Sequence, residues 1–295
     1  MKYVIPQEVH DTIDTLQDDG YRAYLVGGCV RDLVIGIKPK DWDVATNAKP
    51  EEVQKLFPDS VYENTFGTVG VKTESVDNTV KVIEVTTFRI EGKYTDKRHP
   101  DEITFAKTIE EDLSRRDFTI NALALDVASN KIIDPFDGRQ DLEQKIIRAV
   151  GDPDKRFTED ALRLMRAVRL ATALEFVLEE QTASAIRKHA ALLETIAQER
   201  IRDELTKLII TPHAARGVRM LEELELLRFV IPELRAGINC GQNKHHIYTV
   251  WEHNVRALEY SASKGYSFEV RLASLLHDVG KPKTKRGEGY NSTFY

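Results

Sequence analysis

Leu25-Val26-Gly27-Gly28-Cys29-Val30-Arg31-Asp32 and, nine residues on, Asp41-Trp42-Asp43 bring a glycine turn, an arginine and two alternating carboxylates into one short stretch. Side chains two apart on a strand point to one face, so Asp41 and Asp43 converge while Trp42 turns away. Hard oxygen ligands of this kind favour Mg²⁺, which binds through a few carboxylates plus substrate phosphates and keeps several waters. Two such ions would activate an attacking oxygen and stabilise a leaving pyrophosphate. Gly27 and Gly28 follow the apolar strand Ala23–Val26 and precede a short helix, which leaves backbone N–H groups open to phosphate oxygens, and Arg31 adds a fixed positive fork. A plain strand-to-helix turn followed by two solvated acids would carry the same letters, so the motif takes its meaning from its surroundings.

With 295 residues, 41% of them apolar, the chain is long enough for two or three domains with real cores. Its start, Met1-Lys2-Tyr3-Val4-Ile5-Pro6, breaks into charged residues at once, and no later apolar run has the length to cross a bilayer. A cytoplasmic location without a membrane partner is expected. Cys29 and Cys240 are far apart and form no CxxC pair, so the sequence suggests neither a disulfide framework nor a thiolate zinc site, and buried, inert thiols are expected. The net charge of −6 is uneven: residues 1–141 hold 18 basic and 27 acidic side chains, 142–211 hold 12 and 12, and 212–295 hold 12 and 9. An acidic head that needs cations, followed by segments less repulsive to a phosphate backbone, is compatible with RNA binding.

Val9, Ile13 and Leu16 recur at helical spacing behind Pro6, and Gly20 stops that helix. Strands then dominate: 23–26, a short helix over 30–35, a strand over 41–45, a helix opened by Pro50 and closed before Pro58, and two β-rich runs over 68–73 and 80–89 that form an antiparallel hairpin. Residues 90–101 are polar, charged and aperiodic and are expected to form a mobile loop. From Leu142 onward helical patterns fill the chain, broken near Gly151-Asp152-Pro153, Thr211-Pro212 and Ala236-Gly237. The expected fold is α+β: a head with a small mixed sheet (1–141), a helical neck (142–211) and a helical body (212–295).

In the second run of the hairpin Val80, Val82, Glu84, Thr86 and Phe88 share a face, which places Glu84 among inward-looking residues. A buried carboxylate needs a partner, and a metal at Asp41 and Asp43 would supply one; an ion pair with a nearby lysine or arginine would do so equally. Farther on, residues 159–169 read as one helix with an apolar stripe of Leu162, Met165 and Val168 beside a stripe of Arg163, Arg166 and Arg169. Residues three apart are neighbours on a helix, so Asp160 and Arg163 make one hydrogen-bonding edge. A carboxylate accepts from an exocyclic amine and an arginine donates to the adjacent ring nitrogen, which matches cytosine and adenine. Uracil and guanine present the reverse pattern, and each group left unpaired costs on the order of 1–3 kcal/mol. CTP and ATP are therefore expected, with Arg166 and Arg169 reaching phosphates or holding the pocket's shape; a solvated arginine face is the alternative. Ser114-Arg115-Arg116-Asp117-Phe118-Thr119-Ile120-Asn121 reads as two arginines before a helix, with Arg116 available to sugar or phosphate and Asp117 and Asn121 spaced to bond each other.

Taken together, Val26-Gly27-Gly28 through Asp32, Asp41-Trp42-Asp43, Glu84-Val85-Thr86-Thr87-Phe88-Arg89, Arg115-Arg116-Asp117-Phe118-Thr119-Ile120-Asn121-Ala122, Asp134-Pro135-Phe136-Asp137-Gly138 and Arg156-Phe157-Thr158-Glu159-Asp160-Ala161-Leu162-Arg163 resemble, in order and spacing, the bacterial class II CCA-adding enzymes, tRNA nucleotidyltransferases related to poly(A) polymerases. The resemblance covers residues 20–235 and implies a polymerase-β-like head in which Asp41 and Asp43 bind catalytic Mg²⁺. It further implies that Gly28, Arg31 and Arg116 contact nucleotide and that Asp160 and Arg163 template CTP then ATP, supported by Arg166 and Arg169, for addition to a tRNA 3′ end. Glu199-Arg200-Ile201-Arg202-Asp203-Glu204-Leu205 looks like that family's supporting helical element, and the loop at 90–101 would correspond to its switch from C to A. Poly(A) polymerases and enzymes adding only A or only CC share the same chemistry.

His253 and Leu275-Leu276-His277-Asp278-Val279-Gly280-Lys281 resemble the opening of an HD domain, whose histidines and aspartate bind a divalent metal for phosphoester hydrolysis. The chain stops at Tyr295, short of the further helices and last aspartate of such a domain, so a truncated or vestigial copy is expected. An HD phosphohydrolase with a relic head, or a non-catalytic RNA-binding protein, are the readings of another class, and intact DxD, arginine and EDxxR motifs weigh against both.

Overall fold

The structure is a computed structural model that describes residues 3–64, 67–91, 103–243, 246–287 and 292–294. The chain divides into two compact units, Met1–Asp152 and Pro153–Tyr295.

In the first unit α1 (Gln7–Asp18) buries Val9, Thr12, Ile13 and Leu16 and leads into β1 (Ala23–Val26). The chain turns at Gly27, whose φ of 76° suits glycine, into α2 (Gly28–Val34). There follow β2 (Asp43–Thr46), α3 (Pro50–Leu56), β3 (Ser60–Asn64), β4 (Thr68–Lys72), β5 (Val82–Thr87), β6 (Arg89–Glu91), β7 (Ile103–Phe105) and α4 (Ile109–Ser114). The unit closes with β8 (Ala124–Asp126), β9 (Lys131–Ile133) and α5 (Gly138–Gln144).

Seven strands make one sheet in the order β3-β4-β5-β2-β1-β8-β9, in which only β2 and β5 run parallel. That parallel pair aligns Asp43 with Glu84, Val44 with Val85 and Ala45 with Thr86. Val26, Ala45, Phe88, Leu113, Ala122 and Ala124 belong to one buried cluster beneath these strands. Residues 90 and 91 of the segment expected as a mobile loop belong to β6, which pairs antiparallel with β7, and residues 92–101 of it lie outside the described residues.

Two sequence expectations change here. The chain after Arg116 is not a helix: residues Thr119–Asn121 make a single 3-10 turn. Phe118 bridges Ala149, Thr119 N–H donates to the Arg148 carbonyl and Val150 N–H to the Asp117 carbonyl, so backbone pairing with residues 148–150 takes the groups a helix would have used. The same pairing, with Arg148 on Asp141 and Thr119 Oγ1 donating to Asp141 Oδ2 at 2.6 Å, ties α5 and the residues after it to the head, which runs to residue 152 and not 141.

The second unit is mainly helical: α6 (Pro153–Glu159), α7 (Leu162–Ala173), α8 (Glu180–His189), α9 (Gln198–Ile209), α10 (Ala214–Glu223), the short α11 (Leu227–Val230) and α12 (Pro232–Arg235), α13 (Val250–Ser263), α14 (Phe268–Leu276) and a last turn over Lys281–Thr284. It is not all-helical as expected, since Val177–Leu178 is extended and Lys285–Arg286 pairs antiparallel with Thr293–Phe294. Neck and body thus form one unit across residue 211. The stripe Leu162, Met165 and Val168 is buried, as the spacing indicates, but so are Leu164, Ala167, Leu170 and Ala171, which puts α7 at the centre of the unit. Gly217 lets α10 lie against α7 and α9, since a Cβ there would stand 2.8 Å from Thr172 Oγ1 and 2.9 Å from Leu208 Cδ1. Among the described residues no helix is long and apolar enough to cross a membrane.

Asp134, from the Asp-Pro-Phe-Asp-Gly stretch, accepts the backbone N–H groups of Gly138 and Arg139 at 2.7 and 3.0 Å and so starts α5. A Cβ on Gly138 would lie 2.2 Å from the Thr119 carbonyl oxygen, so the helix is pressed onto the 3-10 turn. Gly138→Ala is therefore expected to destabilise the head by about 1–3 kcal/mol or more, because the clash is with backbone. Urea unfolding checks this; an unchanged midpoint would mean that α5 stands off from the turn.

Candidate active site

Each carboxylate of the Asp41-Trp42-Asp43 motif has its own environment. Asp43 begins β2 and is half-buried, whereas Asp41 sits in the bend before the strand and is exposed. Trp42 between them is buried at 1% exposure and anchors the bend in the core. Burial pushes the Asp43 carboxyl above its ordinary range; Arg116 opposes that shift and the like charge of Asp41 adds to it. Two carboxylates close enough to repel, one of them desolvated, fit a cation better than they fit each other.

Arg116 is held in place from the other side. Asp112 on α4, at 1% exposure, accepts Arg116 Nη2 at 3.3 Å, and Arg115 through Nε at 2.9 Å and Nη2 at 2.8 Å. Burial raises the Asp112 carboxyl, but Arg115 and Arg116 together outweigh it and leave the group below its usual range. The Arg116 guanidinium then passes over Gly27: a Cβ there would meet Arg116 Nη1 at 2.7 Å, with Asp43 Oδ2 at 3.6 Å. Gly27 thus gives Arg116 the room to reach Asp43. Cys29, one residue beyond Gly28, is no nucleophile: burial pushes its thiol up to about 12.

Arg31 on α2 donates from Nε to Asp32 Oδ1 at 2.8 Å and from Nη1 to Asn121 Oδ1 at 2.8 Å. Asn121 in turn donates to Asp117 Oδ1 at 3.0 Å, the spacing-predicted pair realised in a turn instead of a helix. Gly28 lies beneath this fork, its would-be Cβ 3.7 Å from Arg31 Nη2. The head so brings Gly28, Arg31, Asp41, Asp43 and Arg116 onto neighbouring elements around the end of β1 and the start of β2.

Glu84 requires a correction. The buried residues of β5 are Ile83, Val85 and Thr87, while Val82 and Glu84 are exposed, so the inward face is the opposite of the one read from the sequence. Val80 and Phe88, which suggested the other phase, are buried but lie outside the strand, where alternation no longer applies. Burial gives Glu84 no need of a cation; its register with Asp43 does place it on the face of β2 that carries that carboxylate.

The second unit also departs from the expected single helix. Residues 160 and 161 break it, and Asp160 lies between α6 and α7, where its Oδ1 accepts Leu162 N–H at 3.0 Å. Asp160 and Arg163 therefore do not share a helical edge, and each has its own support. Arg163 is buried at 8% exposure and donates from Nη1 to Glu159 Oε2 at 2.7 Å and to the Arg156 carbonyl at 3.1 Å. Asp160 meets Arg200 of α9, with Nη2 to Oδ2 at 3.1 Å. Arg166 is half-buried, and Arg169 donates from Nε to Glu204 Oε2 at 2.6 Å. A solvated arginine face is thus excluded for Arg163 and Arg169. Asp112 was not singled out from the sequence, although its spacing of three and four from Arg115 and Arg116 was visible; Glu159, Arg200 and Glu204 stood within quoted motifs without a role of their own, and the partners of Arg200 and Glu204 lie 40 and 35 residues away.

His253 on α13 and His277 after α14 bring their Nε2 atoms within 2.9 Å, with Asp278 Oδ2 at 3.5 and 3.4 Å from them. Among the described residues this is the one group of three or more His, Cys, Asp or Glu side chains with ligand atoms mutually within 4.8 Å. His277 Nδ1 lies 2.8 Å from the Ser274 carbonyl, which can only accept, so the ring proton sits there and Nε2 of the neutral ring is a donor to metal. Burial first, then His277, pushes the His253 pKa down and favours its neutral form.

Comparison with known proteins fits this geometry. Residues 23–148 match the family described as poly A polymerase head domain, and residues 175–238 the one described as probable RNA and SrmB-binding site of polymerase A. A CCA-adding enzyme of Lactobacillus helveticus (strain DPC 4571) is 48% identical over 215 residues, covering 72% of this chain and 52% of that enzyme. One of Geobacillus sp. (strain WCH70) is 47% identical over 230 residues, 78% of this chain and 55% of that enzyme. The chain spans about half the length of the curated relatives it matches. The crystal structure of Bacillus stearothermophilus CCA-adding enzyme in complex with CTP matches with a TM-score of 0.72 at 37% identity, over 95% of this chain and 65% of that one.

The Asp112 arrangement has a pH signature. A carboxylate whose folded pKa is depressed contributes stability that is present above the unfolded value and lost as pH falls through the folded one. Asp112→Asn is expected to flatten that acid limb and to cost on the order of 1–3 kcal/mol at neutral pH. Denaturant unfolding across a pH series measures both, and a profile matching the parent would remove Asp112 as the anchor of the arginine pair.

Proposed function

We propose, because this chain belongs to the CCA-adding enzymes built on the poly(A) polymerase head domain, that it adds C, C and A to the 3′ end of tRNA from CTP and ATP, releasing pyrophosphate. The observation that carries the reading is Asp43 itself, a desolvated carboxylate with Asp41 repelling it and Arg116 attracting it. The donor set is hard oxygen, which suits Mg²⁺, and Asp41 and Asp43 are the residues that hold it, with Glu84 beside Asp43 in the sheet. When bound, the ion supplies the positive charge that acidifies the attacking 3′-hydroxyl and offsets charge on the departing pyrophosphate.

The chain's own residues do the rest. Gly28, at the start of α2, lets phosphate oxygens approach the backbone, while the Gly27 N–H is given to the Leu123 carbonyl and Gly27 makes room for Arg116; Arg31, braced by Asp32 and Asn121, presents a guanidinium to the triphosphate. Arg116, braced by Asp112, contacts nucleotide from the side of Asp43. In the second unit Asp160 accepts the exocyclic amine of cytosine or adenine and Arg163 donates to the adjacent ring nitrogen; Glu159 keeps Arg163 in place. Arg166 and Arg169 support that pair, Arg169 as a strut to Glu204. The proposed setting is the cytoplasm, where tRNA and nucleotides meet.

A second reading is favoured by the His253, His277 and Asp278 cluster. Two imidazoles, that of His277 with a fixed tautomer, and one carboxylate suit a borderline divalent ion such as Zn²⁺ or Fe²⁺, and we read them as the start of an HD-type metal site, with Lys281 on Asp278 at 2.7 Å as the competing cation.

Incubation with tRNA lacking its CCA end, CTP and ATP, followed by sequencing of the product, is expected to show C, C and A added; A alone, CC alone or an A tail would replace the reading by that partial or poly(A) activity. Asp41→Ala and Asp43→Ala are each expected to abolish incorporation with the fold kept, and full activity in either would refute the metal assignment. For the second reading, Zn²⁺, which favours imidazole over the all-oxygen pair Asp41 and Asp43, is expected at about 100 times its dissociation constant to add about 2.7 kcal/mol of stability. That gain should vanish in His277→Ala and persist in Asp41→Ala; a gain that survives His277→Ala places the ion elsewhere.

A further inference from the structure

Asp160 stands at a break between helices, where helix geometry does not orient its side chain. Its Oδ1 accepts Leu162 N–H at 3.0 Å, which caps α7 but leaves the carboxylate plane free to turn about that one bond. The second constraint comes from α9. Arg200 places Nη1 3.4 Å from Oδ1 and Nη2 3.1 Å from Oδ2, one nitrogen to each oxygen, a fork that fixes the plane as well as the position. Water competes little for the pair, since the side chains of Arg200 and Asp160 are 23% and 18% exposed. Four residues along the same helix, Glu204 at 3% exposure takes Arg169 of α7 at 2.6 Å. The two struts have opposite polarity, with arginine reaching from α9 at one and arginine reaching from α7 at the other. Together they fix how α9 lies on α7.

We propose that Arg200 is a positioning residue for base selection: it touches no nucleotide and acts by holding the Asp160 carboxylate in the one plane from which an exocyclic amine is accepted. This rests on the reading that Asp160 and Arg163 recognise the base. Leu162 N–H and Arg200 Nη1 take the lone-pair directions of Oδ1 and Arg200 Nη2 takes one of Oδ2, so what remains open is on Oδ2 and points one way, and a base offering a carbonyl there meets an acceptor that has no freedom to rotate and avoid it. Loss of Arg200 frees the carboxylate to swing aside for uracil or guanine. Discrimination falls although phosphate binding does not depend on the residue.

The test is the ratio of dissociation constants for UTP and CTP, measured by calorimetry on the full chain, for the parent, Arg200→Met, Arg200→Lys, Asp160→Ala and the double variant Asp160→Ala/Arg200→Met, each checked for folding by its melting curve. Arg200→Met is expected to lower the ratio about tenfold, the value of one base-edge contact. Arg200→Lys should restore part of it, since an ammonium reaches one oxygen but cannot form the fork. In the Asp160→Ala background Arg200→Met should change the ratio no further, because the two act through one carboxylate. A general loss of stability would weaken both nucleotides alike and leave the ratio unmoved. If Asp160→Ala lowers the ratio and Arg200→Met and Arg200→Lys both keep that of the parent, Arg200 is a structural strut only and the proposal is overturned. If Asp160→Ala itself keeps the ratio, base reading by Asp160 is wrong and this inference falls with it.

Discussion

A carboxylate taken out of water must meet positive charge, and in the head that requirement organises the site. Asp112 is buried and answered by Arg115 and Arg116; Asp43 is desolvated and answered by Arg116 and opposed by Asp41. Arg116 therefore stands between a carboxylate that is structurally satisfied and one that is not. What Asp112 takes from it fixes its direction, and what is left over at Asp43 is a deficit of positive charge beside two acids. Gly27 is part of the same arrangement, since the guanidinium occupies the volume its side chain would fill.

The supporting residues follow a common pattern in both units. Each arginine assigned to nucleotide whose partners are resolved is itself held by an acid or amide: Arg31 by Asp32 and Asn121, Arg116 by Asp112, Arg163 by Glu159 and Arg169 by Glu204. Long flexible side chains lose much rotamer freedom when they bind, and a partner that orders them beforehand moves that entropic cost from the binding step to the fold. The same logic extends inward. α5 is seated on the 3-10 turn through Gly138, that turn carries Asn121, and Asn121 bonds Arg31, so a backbone contact at Gly138 bears on where the Arg31 guanidinium points.

Much of this was legible in the chain. Strand β1 and the helix opened by Pro50 follow from local pattern, and Gly27, Gly28 and Arg31 follow from the turn between strand and helix. Besides the division into units, three readings of particular residues failed, each for an identifiable reason. Glu84 was assigned to the inward face from five alternating residues, but two of them lie beyond the strand ends, so the phase was set by the wrong residues. Residues 117–121 have helical spacing, yet their backbone pairs with residues 148–150, a partner thirty residues away that no local pattern announces. Asp160 and Arg163 have the three-residue spacing of a helical edge, but Asp160 caps α7 instead of entering it, and each side chain went to a different element.

The sequence by itself determined the chemistry available: which acids, arginines and glycines occur at which spacing, the α+β head before a mainly helical remainder, and an ordered set of motifs specific enough to identify a family. Tertiary structure alone decided which of those groups are buried and what each one touches. Burial and pairing depend on elements brought together from distant parts of the chain, such as Asp43 with Glu84, Arg31 with Asn121 and Asp160 with Arg200. A side chain's charge and reach are local properties, but its desolvation and its partner belong to the fold.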